Sequence, residues 1–415
     1  MVSEKSICVF LANGIQEQLI GTLYYDLIRG NEIYSFEFND AFLESTTIQF
    51  DPDLYLFKGR QYVPSGKKIF GMFGDCCPDR WGRTLIERRE VILSKKEERP
   101  LKKLFEIGYL LGVQDATRSG AFRFKYNEND ARYIGAETYL AVPPIASLRK
   151  LQQATYHFEC EEDIYETKWL NQILNPGSSL GGARPKATVQ DENGFLWVAK
   201  FPSKNDSINN CAWEKTVNDL ALFSGLDVAE SRFESFGKKS CFLSKRFDRA
   251  SDDGQNIRIH FSSAMTQLGR TDSFESRASY LDIANFIRTS GCDVENDLKE
   301  LWKRIVFNIA ISNTDDHLRN HGFLLQKNGW KLSPLYDITP NPYPNTLSLN
   351  IDERSNEKSI ELAMSTAQYY GLSDSEAQEN SLRILETVKE NWQKIATQYG
   401  ILKSEQMMMK TAFGG

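Results

Sequence analysis

The sequence predicts an α+β fold in two lobes. Two observations carry this: period-two strand patterns dominate the chain to about residue 250, and helical periodicity dominates from about residue 275. Size agrees, because 415 residues exceed one ordinary domain and argue for two or three packed units. Residues 21–25 and 34–38 alternate as half-buried strands. Pro78 suits a first helical turn, and Trp81, Leu85 and Ile86 then share one face. Residues 141–175 read as mostly helical and end in a turn at Asn175-Pro176-Gly177. Residues 186–190 and 195–201 flank Asn193-Gly194, the signature of a tight hairpin. A helix is predicted over 212–222 and a strand over 241–247. Further helices follow over 280–289, 297–312, 363–370 and 381–399.

Composition narrows the functional classes. A hydrophobic share of 41% and a charged share of 26% exclude a disordered or collagen-like chain. The net charge of −6 speaks against a strongly basic nucleic-acid binder, although a local patch would not show in that sum. No apolar run is long enough to span a membrane, and the apolar stretch near the start, of about six residues, is too short for a secretory signal. The seven cysteines are odd in number and their only close pair, Cys76-Cys77, is adjacent, which fits neither a disulfide framework nor a zinc site. Four histidines argue against a histidine-ligated metalloenzyme. The expected compartment is the reduced cytosol.

Three segments carry candidate chemistry. In Gly177-Ser178-Ser179-Leu180-Gly181-Gly182-Ala183, glycines would let backbone amides turn toward a phosphate; an ordinary flexible loop is the competing reading. It is not a Walker loop, since no Gly-Lys-Ser/Thr element and no helix follow. Lys200 ends a predicted strand with Val198 on the same face, where its ammonium could neutralise phosphate or simply reach water. The sharpest segment is Asn313-Thr314-Asp315-Asp316-His317-Leu318-Arg319-Asn320. There Asp315 and Asn320 have the D-x-x-x-x-N spacing of a kinase catalytic loop, and a short hairpin then leads to Asp337. Phosphoryl transfer uses one carboxylate to orient the attacking hydroxyl, and an amide oxygen with a second carboxylate to hold magnesium. The competing reading is a polar helix cap formed by Asp315 or Asp316. Order decides between them: glycine loop, lysine strand, a helix bearing Glu214, a linking strand, Asp/Asn loop, hairpin and second aspartate follow one another as a protein-kinase-like fold requires.

The chain also resembles a known family. Phe73-Gly74-Asp75, Pro78-Asp79-Arg80-Trp81-Gly82 and Ser179-Leu180-Gly181-Gly182-Ala183-Arg184-Pro185-Lys186 are similar to motifs of the HipA family of bacterial serine/threonine kinases, the toxins of HipA–HipB type modules. Arg246-Phe247-Asp248-Arg249, Arg258-Ile259-His260, Asn313-x-Asp315-x-His317-x-x-Asn320 and Tyr336-Asp337 follow in family order. The resemblance implies a β-rich N-terminal domain over 1–125 packed on a kinase N-lobe over 126–249, and a mainly helical C-lobe over 250–415. It implies ATP and Mg2+ as cofactors, Asp315 as catalytic base, and Asn320 and Asp337 as metal ligands. Lys200 would meet the ATP phosphates, and Ser179, Gly181, Gly182, Lys245, Phe247, Asp248 and His317 would complete the nucleotide site. Ser179, with Ser178 as the alternative, matches the serine that family members autophosphorylate; a phosphate there would place about −1.5 to −2 charges in a loop shaped for the γ-phosphate.

The implied partners are a HipB-like helix-turn-helix antitoxin, DNA only through that antitoxin, and a translation-related protein substrate such as an aminoacyl-tRNA synthetase, whose modification would arrest growth. No membrane is implied. A small-molecule kinase and a catalytically silent co-repressor or antitoxin are the alternatives from other classes.

Overall fold

A computed structural model describes residues 5–136, 142–160, 173, 182–237, 239–252, 255–271, 278–343 and 345–414. The chain divides into two compact units, Met1–Ala199 with Arg246–Thr271, and Lys200–Lys245 with Asp272–Gly415. Strands and helices both contribute, so the class is α+β as expected.

The first unit is built on a five-stranded antiparallel sheet. Its spatial order is Gln61–Tyr62, Asn31–Phe38, Gln18–Ile28, Lys5–Leu11 and Phe122–Lys125. Alternation decides which face is covered: Ile7 and Val9, Tyr34, Phe36 and Phe38, and Phe122 and Phe124 are all buried, while the residues between them are largely not. Rings from sheet and loops then interlock, with Phe36 and Phe38 centroids 4.9 Å apart and Phe50 and Phe122 5.8 Å apart.

The helix predicted at Pro78 spans Arg80–Lys96 and buries Trp81, Leu85 and Ile86 together. Asp79 caps it by accepting the Gly82 N–H at 2.8 Å. Of the helical stretch expected over 141–175, Leu148–Glu159 is a helix, and residues 161–172 and 174–181 lie outside the described residues. The predicted hairpin forms from Lys186–Gln190 and Leu196–Lys200. Its turn is held by Asp191, whose Oδ1 accepts from the N–H groups of Asn193 and Phe195 at 3.0 and 2.9 Å. Gly194, at φ +85°, supplies the left-handed residue that closes it.

In the second unit, the helix Val294–Ala310 is the central post. Leu298, Leu301, Trp302, Ile305, Val306 and Phe307 are all buried, because helices Tyr280–Ser290 and Asp374–Gln398 both pack on it. The helix Asp374–Gln398 begins before residue 381 because Ser373 and Glu376 form a reciprocal capping box ahead of the apolar pattern. The helix Asn210–Phe223 carries Trp213, which stacks on Phe413 at 5.7 Å, while Phe413 stacks on Trp392 at 4.7 Å. The strand predicted over 241–247 spans Lys239–Lys245 and pairs with Ser231–Phe236. The short helix Lys403–Met409 braces this unit, since Glu405 Oε1 accepts from Trp213 Nε1 at 2.7 Å and from the Asn209 N–H at 2.9 Å. No helix among the described residues is long and apolar enough to cross a membrane.

Candidate active site

Lys200, Glu214, Asp315, Asn320 and Asp337 all belong to the second unit. Lys200 is the last residue of Leu196–Lys200, a strand whose side chains are mostly buried, and it is itself 9% exposed. Its ammonium donates to Glu214 Oε1 and to Asp337 Oδ1, each at 2.5 Å. Glu214 is 4% exposed and sits on the helix Asn210–Phe223, whose start is capped by Asn209 Oδ1 on the Ala212 N–H at 3.1 Å. Burial alone would lower the lysine's pKa; Asp337 and Glu214 outweigh it and hold the group above its ordinary value. The charge on Lys200 is therefore fixed at any working pH.

The loop after Val294–Ala310 turns through Ser312, a non-glycine residue at φ +53°. Two contacts steady it there: Ser312 Oγ donates to the Ala412 carbonyl at 2.8 Å, and Lys358 donates to Ser312 Oγ at 2.8 Å. Asp315 and Asp316 are neighbours in sequence with opposite fates. Asp315 is exposed. Asp316 is fully buried, and its Oδ2 accepts from Tyr280 O–H at 2.6 Å and from Asn308 Nδ2 at 2.8 Å, with His321 Nε2 also at 2.8 Å. Burial would push the Asp316 carboxyl up, but His321 and Tyr280 pull it below the usual carboxylate range. Asp316 thus nails the loop down and leaves Asp315 presented. The Asp315 pKa is raised, first by partial burial and then by Asp337 and Asp316, against the lowering influence of His317. The helix-cap alternative does not describe this loop, since the short 3-10 turn Leu318–Asn320 receives no side-chain cap.

Asn320 draws the remaining pieces together. Its Nδ2 donates to the Asp315 carbonyl at 3.1 Å and to the Asp337 carbonyl at 3.5 Å. Its Oδ1 is buried and, among the described residues, meets no hydrogen-bond partner, and the same holds for His317 Nδ1 in the same loop. Asp337 adopts φ +57°, a left-handed backbone that costs a non-glycine residue of order 1–3 kcal/mol. The hairpin Gly322–Gln326 and Gly329–Leu332 leads to it, and Tyr336 O–H donates to the Arg319 carbonyl at 2.6 Å, tying the two loops together.

This donor set fits magnesium. An unpartnered amide oxygen lies beside the backbone of an aspartate, and all donors are oxygen. No cluster of three or more His, Cys, Asp or Glu suited to a metal occurs among the described residues.

The other described residues expected at the nucleotide each have their own surroundings. Ser178, Ser179 and Gly181 lie outside the described residues, and Gly182 is exposed at φ +64°. Lys245 ends Lys239–Lys245 and donates to Glu230 Oε2 at 2.8 Å. The half-buried Phe247 ring lies 6.1 Å from Phe261. Asp248 is buried, with its carboxylate engaged by Arg246 at 2.5 Å, Arg249 at 2.9 Å and the Gly120 N–H at 2.8 Å. Burial opposes its ionisation, but the two arginines hold it well below the ordinary carboxylate range.

Sequence reasoning placed Glu214 by order alone and missed Tyr280, Asn308 and His321. Only the spacing of His321 from Asp316, on the far side of Asn320, hinted at the buried set.

The HipA-like C-terminal domain matches residues 178–395. A Haemophilus influenzae protein named "Putative kinase" is 34% identical over 196 residues, 40% of this chain and 54% of that protein. "Putative kinase Y4mE" of Sinorhizobium fredii is 29% identical over 146 residues, 34% of this chain and 33% of that protein. The matches thus cover about a third and about half of these relatives' lengths. In fold, the chain is similar to one in the Shewanella oneidensis complex of the toxin–antitoxin system HipA, HipB and its operator DNA, with TM-score 0.67 and 16% identity over 98% of this chain and 95% of that one. With more than half of its residues matched by that domain, the chain belongs to the HipA family.

Proposed function

We propose that this protein is an ATP-dependent serine/threonine protein kinase and the toxin of a toxin–antitoxin module. The observation that carries the reading is the convergence of Lys200, Glu214 and Asp337 at 2.5 Å contacts, with Asn320 joining the backbones of Asp315 and Asp337. Asp315 is the base that accepts the proton of the attacking hydroxyl; its exposure and raised pKa suit that role. Asn320 Oδ1 and Asp337 would hold Mg2+, and Lys200, fixed by Glu214, would meet the ATP phosphates. When bound, the metal supplies charge neutralisation at the transferring phosphoryl group. His317 offers its buried Nδ1 to the nucleotide. The backbone of Lys245–Phe247 serves adenine, while Asp248 acts as a fixture of that segment.

Further assignments follow from the family. Ser179, or Ser178, is the autophosphorylation site. A HipB-like antitoxin restrains the toxin and links it to DNA, a reading supported by the Shewanella complex, which contains HipA, HipB and operator DNA together. A translation-related protein is the substrate, and residues 1–125, 126–249 and 250–415 are the N-terminal domain, N-lobe and C-lobe.

The test is transfer from labelled ATP with magnesium. Label is expected on Ser179 or Ser178, or on a lysate protein, and Asp315→Ala and Asp337→Ala should each abolish it. Retained transfer in either variant removes the assignment.

A further inference from the structure

Lys186, the last residue of the glycine-rich motif, is held from two directions by residues more than a hundred positions earlier. Its ammonium donates to Asp79 Oδ2 at 2.8 Å, and its carbonyl accepts from Trp81 Nε1 at 3.0 Å, across 107 and 105 positions of sequence. The same ammonium reaches back to the Gly182 carbonyl at 3.3 Å. All three side chains are buried: Trp81 is 6% exposed and Lys186 7%, and the Asp79 side chain is 8% exposed. Asp79 is also fixed at the start of Arg80–Lys96 by its bond to the Gly82 N–H, and Trp81 meets the Phe158 ring edge-on at 5.3 Å. Neither gripping residue is free to swing.

We propose that Pro78-Asp79-Arg80-Trp81-Gly82 is a clamp on the exit of the glycine-rich segment, with Asp79 and Trp81 as positioning residues for nucleotide binding. This rests on the kinase reading above. The physical need is plain: where a segment binds phosphate through backbone amides, its glycines add no side chains to set its shape. Its geometry must be imposed where it leaves, and binding is weakened when that order is lost. Gly182, at φ +64°, is the last glycine of the segment, and Lys186 begins the strand Lys186–Gln190. The clamp closes over the span between them. It also commits the Lys186 ammonium to Asp79 and to the Gly182 carbonyl, so this lysine shapes the loop.

Two full-chain variants separate the contacts. Asp79→Asn keeps an oxygen for the Gly82 N–H and loses the charge; Trp81→Phe keeps the ring and loses the N–H. Hydrogen exchange over residues 182–190 is measured without nucleotide, with residues 210–223 as an internal reference. Faster exchange over 182–190 alone is expected in both variants. With ATP and magnesium, KM should rise about tenfold while kcat changes by less than about threefold, and Asp79→Glu should recover most of the loss. Wild-type exchange over 182–190 in both variants overturns the clamp, and faster exchange with an unchanged KM overturns its positioning role. If the wild-type protein does not use ATP at all, the kinase reading fails while the exchange measurement still decides the clamp.

Discussion

Lys200 donates to Asp337 Oδ1 at 2.5 Å across 137 positions of sequence, and Glu214 receives the same ammonium from the other side. One cation thus ties the end of a strand, a helix and the residue after the second hairpin into a single charged centre. Removing it takes one charged hydrogen-bond donor from the buried Glu214 carboxylate.

Lys200→Met should therefore lower stability by about 1.5–3 kcal/mol, the usual cost of losing a hydrogen bond to a charged, buried group. Adding Glu214→Gln should restore part of that loss while leaving transfer abolished. Urea unfolding midpoints of the two single variants and the double variant check this, and purely additive losses would show that the two groups do not interact.

Asp315 and Asp316 make a paired test. Asp315→Asn should fold within about 0.5 kcal/mol of wild type, as an exposed substitution does, yet lose transfer by roughly 10²–10⁴-fold. Asp316→Asn should lose about 2–3 kcal/mol of stability, because Tyr280, Asn308 and His321 all meet its Oδ2. Denaturation curves and labelled-ATP assays on the same preparations tell the two roles apart.

The unpartnered Asn320 Oδ1 predicts a metal dependence. In Asn320→Ala, the Mg2+ concentration giving half-maximal nucleotide binding should rise at least about tenfold. Calorimetric titration at several Mg2+ concentrations reads this directly, and an unchanged requirement removes Asn320 from the ligand set.

A pH effect follows from Asp297, which is buried and accepts the Leu332 N–H at 2.8 Å. Burial pushes its carboxyl up to about 6, with the Leu332 N–H pulling the other way. The folded protein therefore holds this proton more tightly than the unfolded chain does. Its contribution to stability is full below about pH 4, falls as pH rises toward about 6, and is flat above. Asp297→Asn keeps an acceptor for Leu332 and abolishes that slope, so its Tm relative to wild type should rise between pH 4 and pH 7. A pH series of thermal melts with a constant difference would contradict the assignment.

Much of the fold is legible in near-neighbour sterics and periodicity. The alternating strands, the helix after Pro78 with Trp81, Leu85 and Ile86 on one face, and the Asn193-Gly194 hairpin all follow from them. The D-x-x-x-x-N spacing of Asp315 and Asn320 is legible for the same reason, since a short loop brings both to one place. Less legible is the end of Lys239–Lys245, where the strand stops short of 247 and the Arg246 guanidinium turns to the carboxylate of Asp248.

Local chemistry thus settled element type, motif order and the identity of the charged groups available to a site. It chose Asp315 by its spacing to Asn320, but could not show Asp316 as a buried anchor, nor find Asp79 on Lys186 or Glu405 on Trp213. Those pairings depend on which distant elements pack together, because a buried charge is tolerated only where packing delivers a partner. Burial turned one of two adjacent aspartates into an anchor and left the other exposed.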